Sequence, residues 1–159
     1  YSQGEKTQGI VTSHNTHELK LLKKFNFSEK LLNISSFYYS KMNSKNLVTN
    51  ELFRFGGINS IRGFLEGSIY ANEYFVTNFD LIFLLNKSTA IFSLFDFSKY
   101  NNINLNLDEK IYSAGLGIKT VSNQSTTTIF FASGNTWGKK LNIEDAKISI
   151  SFKTFFWLE

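Results

Sequence analysis

The stretch from Lys147 to Lys153 alternates strictly, with Ile148, Ile150 and Phe152 on one side of an extended chain and Lys147, Ser149, Ser151 and Lys153 on the other. Successive side chains of a β-strand point to opposite faces, so this period commits the segment to a strand with one apolar and one polar face. The same period recurs upstream. Residues 17–27 set Leu19, Leu21, Phe25 and Phe27 against Glu18, Lys20, Lys24 and Asn26, with Lys23 breaking the pattern. Residues 73–85 set Phe75, Phe79, Leu81, Phe83 and Leu85 against Asn78 and Asp80, so Asp80 points away from the apolar face. In residues 110–121, Tyr112, Ala114, Leu116 and Ile118 oppose Ser113, Gly115, Gly117 and Lys119, and the small members leave space on their side. Weaker patterns over 31–42, 48–55, 89–98 and 126–134 bring the expectation to eight antiparallel strands, most of about nine to twelve residues, enough to cross a bilayer at a tilt.

Short turns at 28–30, 43–46, 86–88 and 122–125 contrast with long loops at 56–72, at 99–109 and around Trp137 and Lys139. Short turns at one end and long loops at the other are the habit of an outer-membrane barrel. Composition agrees. The chain has 17 Phe and 7 Tyr in 159 residues, more aromatic surface than a core of this size needs, and its 0 Pro suits paired strands. No run approaches the roughly 18 apolar residues of a membrane-spanning helix. The fold expected is therefore all-β, a transmembrane antiparallel β-barrel. Alternation does not say which face is outside, and a soluble lipid-binding barrel with the apolar face inward shares the pattern. The interior of about eight strands holds little more than its own side chains, so this many Phe and Leu fit better against lipid.

Several classes of chemistry are excluded. With 0 Cys there is no thiolate ligand or cysteine nucleophile, and His14 and His17 have no further ligands nearby. Nothing resembles a nucleophile elbow, so neither an enzyme nor a cofactor is expected. The net charge of +4 is spread over separated pairs such as Lys23 with Lys24 and Lys139 with Lys140, which makes no nucleic-acid stripe.

Residues 52–64 interrupt the strand pattern with Gly56-Gly57 and then place one arginine, Arg62, between Ile61 and Gly63. Taken alone, this is a polar loop with a cation that is either solvated or aimed at a partner. The segment resembles the lid-loop signature of the BamA/TpsB superfamily of outer-membrane barrels, the bacterial surface antigen type. In that family a large loop folds back into the lumen, with a Val/Ile-Arg-Gly-Phe/Tyr tip shortly after a glycine pair. The matching residues are Gly56, Gly57, Ile61, Arg62, Gly63 and Phe64.

The resemblance implies that Arg62 is held by acidic residues on the two strands after the loop, here Asp80 and Asp96. Asp80 is the better supported, because in a regular strand Asp96 shares its face with Ala90, Phe92 and Leu94; a bulge would re-aim it. Residues 112–117 resemble the family's antepenultimate strand. Residues 147–157 resemble its terminal strand, where Ile148, Ile150, Phe152, Phe156 and Trp157 would form the assembly signal. The role implied is outer-membrane protein insertion or protein translocation in a Gram-negative bacterium, with lipid bilayer and unfolded protein substrates as partners. The alternative is a passive eight-stranded barrel that transports nothing.

The sequence departs from the family in lacking proline and glycine at 122–125, in showing no peptide-binding modules before the barrel, and in having about half of the family's sixteen strands. The chain is then the C-terminal half of a wider barrel, or one of two copies that complete one, or a closed barrel with the loop elsewhere. Residues 1–16 are expected to be a polar segment with an extra strand at 7–14, residues 17–157 the barrel, and residues 158–159 a cloning remnant.

Overall fold

A computed structural model describes residues 15–43 and 49–154. Seven strands form one antiparallel sheet: β1 Asn15–Asn26, β2 Leu31–Asn43, β5 Glu73–Leu84, β6 Thr89–Asn102, β7 Leu107–Val121, β8 Ser125–Thr136 and β9 Lys147–Thr154, with order β1-β2-β5-β6-β7-β8-β9. Two three-residue strands, β3 Phe53–Phe55 and β4 Ile69–Ala71, pair with each other in a separate hairpin. Among the described residues β1 and β9 each have one neighbour, so the sheet is part of a barrel wall and not a closed ring. The expected strand at 7–14, like His14, Phe156, Trp157 and residues 158–159, lies outside the described residues.

Among the described residues the wall thus has seven strands where eight are expected. Within the segment expected at 48–55, Thr49–Glu51 is a 3-10 turn and Phe53–Phe55 is β3, which does not join the wall because β2 pairs directly with β5, Lys41 facing Glu73, leaving no sheet edge for it. The long loop expected at 99–109 is a four-residue turn, since β6 runs on to Asn102 and β7 begins at Leu107. Its asparagines make the turn: the Asn102 side-chain oxygen accepts from the backbone N–H of Asn104 and of Leu105, and Asn106 takes a positive φ of 49°.

Pairing from β2 through β9 runs without a slip, so side chains fall into rows across the sheet. One row of the inner face contains Leu22, Ser36, Asn78, Asp96, Ser113 and Gly134. The outer face carries Leu21, Phe79, Leu81, Ile91, Leu116 and Ile150, all exposed. This apolar face is turned outward, which removes the soluble-carrier arrangement. Toward the long-loop end the outer face bears a continuous aromatic band: Phe37 stacks near Phe75, Phe75 near Phe97, and Phe97 and Tyr112 both meet Trp137 edge-on at 5.3 and 5.4 Å. Such girdles mark the membrane–water interface of outer-membrane barrels.

The inner face is also apolar in two patches, contrary to the expectation that the large apolar side chains point to lipid. Phe92, Leu94, Phe130 and Ala132 are buried in one patch, and Tyr74, Val76, Tyr100 and Ile111 in the other. Both are covered by the segment between β2 and β5: Ile58 packs on the first and Phe55 and Ile61 on the second.

Candidate functional site

The covering segment owes its shape to its glycines and to Ser60. Gly57 has φ +90°, in the left-handed region that side chains avoid, and there the chain turns back on itself, the Gly57 N–H donating to the Ile61 carbonyl at 3.0 Å. The Ser60 hydroxyl accepts from the Gly56 N–H at 2.7 Å, and the Ser60 carbonyl accepts from the Asn78 amide on β5 at 2.7 Å. Ile61 is fully buried and Phe55 lies flat on Tyr74, ring centroids 4.2 Å apart. The loop is thereby pinned to the wall just before Arg62.

Arg62 is held mainly by Asp96. Its backbone N–H and its Nε both donate to Asp96 Oδ2, at 2.8 and 2.9 Å, and its Nη2 donates to Oδ1 at 2.5 Å. The same Nη2 lies 2.7 Å from Asp80 Oδ1. The Asp96 side chain is wholly inaccessible and that of Asp80 is 26% exposed. Burial by itself would lower the guanidinium pKa; the hydrogen bonds and charge of Asp96, then of Asp80, outweigh it and raise the pKa above its ordinary value. A bidentate fork with a backbone donor added to it fixes both the position and the rotation of the loop tip.

The residues after Arg62 lie across the small members of the Asp96 row. Gly63 sits at φ +83°, and a methyl group there would stand 2.8 Å from the Ser133 carbonyl carbon and 2.9 Å from the Gly134 nitrogen. Phe64 in turn rests against Gly134, where an added Cβ would run into its ring. Ser113 and Gly134 therefore form a shallow bed for the tip, next to the carboxylate that anchors it.

The structure brings Gly56, Gly57, Ile61, Arg62, Gly63, Phe64, Asp80 and Asp96 together in one site. It reverses the expected ranking of the two acids. Asp96 reaches Arg62 from a regular strand without a bulge, because Phe92 and Leu94 share its inward face under the cover of the loop. Ile148, Ile150 and Phe152 stand apart, exposed on the outer face of β9. The sequence pattern gives no role to Ser60 or Gly134, and marks Ser113 and Asn78 only as members of the polar face. Asn78 had a signal, standing two residues before Asp80 on the same face, whereas Ser60 had none. Among the described residues no group of three or more His, Cys, Asp or Glu could hold a metal ion.

The family described as "Haemolysin secretion/activation protein ShlB/FhaC/HecB" matches residues 4–120, a span that takes in the loop and both acids. The chain belongs to this family. ShlB/FhaC/HecB proteins are outer-membrane channels of Gram-negative bacteria through which proteins are secreted, so the outward apolar face and its aromatic band belong in that membrane. Of the two activities implied by the lid-loop resemblance, the match is to the secretion branch. No curated protein matches the chain.

Proposed function

We propose that this chain forms part of the wall of a protein-secretion channel and that its inner loop is the channel lid, locked by the clamp of Arg62 on Asp96 and Asp80. The observation that carries this reading is the burial of a three-bond arginine–carboxylate pair between a loop and a barrel wall. A loop that only connected two strands would have no use for it, because exposed connections leave such groups in water. A single electrostatic lock suits a part that has to leave. Apolar contacts from Phe55, Ile61 and Phe64 shape the closed position, and the clamp decides how often it is vacated. The bilayer is one partner of the wall and an unfolded protein substrate is the other; no covalent step is involved.

The test is secretion by cells carrying the full-length protein, read beside the conductance of the purified protein in planar bilayers. Arg62→Ala is expected to give larger or more frequent conductance steps and to reduce secretion, since the loop then occupies the lumen without a fixed position. If Arg62→Ala secretes and conducts like the wild type, the loop is not a lid.

A further inference from the structure

On the short-turn side of the loop tip, the inner face of β7, β8 and β9 holds a feature that the clamp does not use. The register sets Lys119 beside Thr128 and Thr128 beside Ser151 in one row, and Thr126 beside Lys153 in the next. These five side chains line a cavity of about 220 Å3 that is also bordered by Arg62 and Asp80. Lys119 and Lys153 are exposed, and among the described residues neither makes an ion pair. The one carboxylate in the cavity, Asp80, already faces Arg62. Beside the apolar Ile34, Ile82, Phe92 and Phe130, the cavity therefore offers two ammonium groups and three hydroxyls, and its one carboxylate is paired with Arg62, so its polar side attracts negative charge and repels positive charge.

We propose that this strip is where an acidic, extended segment of the secreted polypeptide first meets the lumen, its carboxylates pairing with Lys119 and Lys153. Thr126, Thr128 and Ser151 donate to carboxylate or backbone carbonyl oxygens of the same segment. Short turns face the periplasm in outer-membrane barrels, so a chain arriving from that side reaches the strip before the lid. The strip also adjoins Asp80, the more exposed of the two carboxylates on Arg62, so a substrate carboxylate held there is placed to compete for the guanidinium. The inference rests on the secretion reading above and adds the charge of the segment that is taken up.

The test uses the full-length protein in detergent and two short dye-labelled peptides, one of Asp, Ser and Asn and one with Lys in place of Asp, followed by fluorescence anisotropy. At low salt the acidic peptide is expected to bind about tenfold tighter than the basic one, and the Lys119→Gln, Lys153→Gln double variant to lose most of that preference. Both lysines are exposed, so the substitutions leave the wall intact. Lys87→Gln, in the turn between β5 and β6, is expected to change nothing. Equal binding of the two peptides, or an equal loss from Lys87→Gln, overturns the strip. Conductance and secretion by the same protein separate the two ideas. A wild type that conducts and secretes but binds both peptides alike sinks the strip alone. One that does neither, yet binds the acidic peptide through the two lysines, keeps the strip and sinks the secretion reading.

Discussion

Replacing Asp96 by asparagine tests which carboxylate locks the proposed lid. The side chain keeps its shape, loses its charge, and presents an amide where Arg62 needs acceptors. If the amide nitrogen takes the place of Oδ1, the Arg62 Nη2 donor faces another donor; if it takes the place of Oδ2, both the backbone N–H and Nε lose their partner. Arg62 is 9% exposed, so among the described residues the charge left behind has only Asp80 to answer it. Breaking one side of a buried ion pair costs on the order of 3–5 kcal/mol. Burial of Phe55, Ile61 and Phe64 contributes roughly 1.5–3 kcal/mol each, together more than the clamp loses, so the loop is expected to stay docked most of the time but to open far more often. At about 1.4 kcal/mol per factor of ten, the open population rises roughly a hundredfold or more. Asp80→Asn removes one contact from a partly exposed group, with a loss of about 1 kcal/mol and a several-fold effect. Hydrogen exchange at the Arg62 amide reads both, because its protection depends on the bond to Asp96. Amides in the β5–β6 ladder serve as the control. Equal loss of protection in the two variants, or a larger loss in Asp80→Asn, would refute the assignment of the lock to Asp96.

Two further outcomes follow from the same geometry. Gly63→Ala combines a left-handed backbone with a Cβ less than 3 Å from backbone atoms of Ser133 and Gly134, so it is expected to cost on the order of 1–3 kcal/mol and to lift the tip, exposing the loop to limited proteolysis. Gly138→Ala is strained alike, at φ +89°, but meets nothing within 4 Å, and it should leave the loop as resistant as the wild type; equal cleavage of both variants would contradict the bed formed by β8. The raised pKa of Arg62 fixes the sign of an alkaline titration. A cation whose folded pKa exceeds its unfolded one stabilises fully below the unfolded value and loses that contribution only as pH rises through the folded value. Arg62 protection, corrected for intrinsic exchange, is therefore expected to hold from neutral pH up to about pH 10, well below the ordinary arginine range. Release of the tip within that interval would mean that the clamp is not what holds it.

Period-two alternation is legible wherever one face meets lipid and the other meets polar or small groups, which is why β1, β7, β9 and the half of β5 that carries Asn78 and Asp80 are assigned with their faces, while Tyr74 and Val76 of β5 join an inner apolar patch. It failed where both faces are apolar. In β6 the inward Phe92 and Leu94 alternate with the outward Ile91 and Phe95, and the cause of the inward pair, a loop folded over them, lies more than 25 residues away in sequence. The same blur led to the lower ranking of Asp96, since an acid among apolar neighbours looks misplaced until the arginine that faces it is known. The sequence reads β3 as a wall strand for a related reason: Phe53 and Phe55 carry the apolar signature of a strand, but what they pack on is the inner face of the wall.

The loop and the wall were specified together, and the small residues record it. Ser113 and Gly134 sit in the Asp96 row on the two strands beyond it, where bulkier side chains would lift Gly63 and Phe64 off the sheet. Ordering a loop costs about 1–2 kcal/mol per residue in backbone freedom, a sum that one ion pair does not cover. The aromatic and aliphatic contacts must therefore supply most of the docking energy and the clamp the choice of position. A lid held by packing alone would have many similar resting places. One held by a guanidinium fork on a buried carboxylate has a single one, and on the proposed mechanism it would lose that place when a competing anion reached Arg62 from the Asp80 side. The unequal burial of the two acids thus gives the lock one fixed half and one half open to exchange, and the open half is the one that borders the lysine-lined cavity.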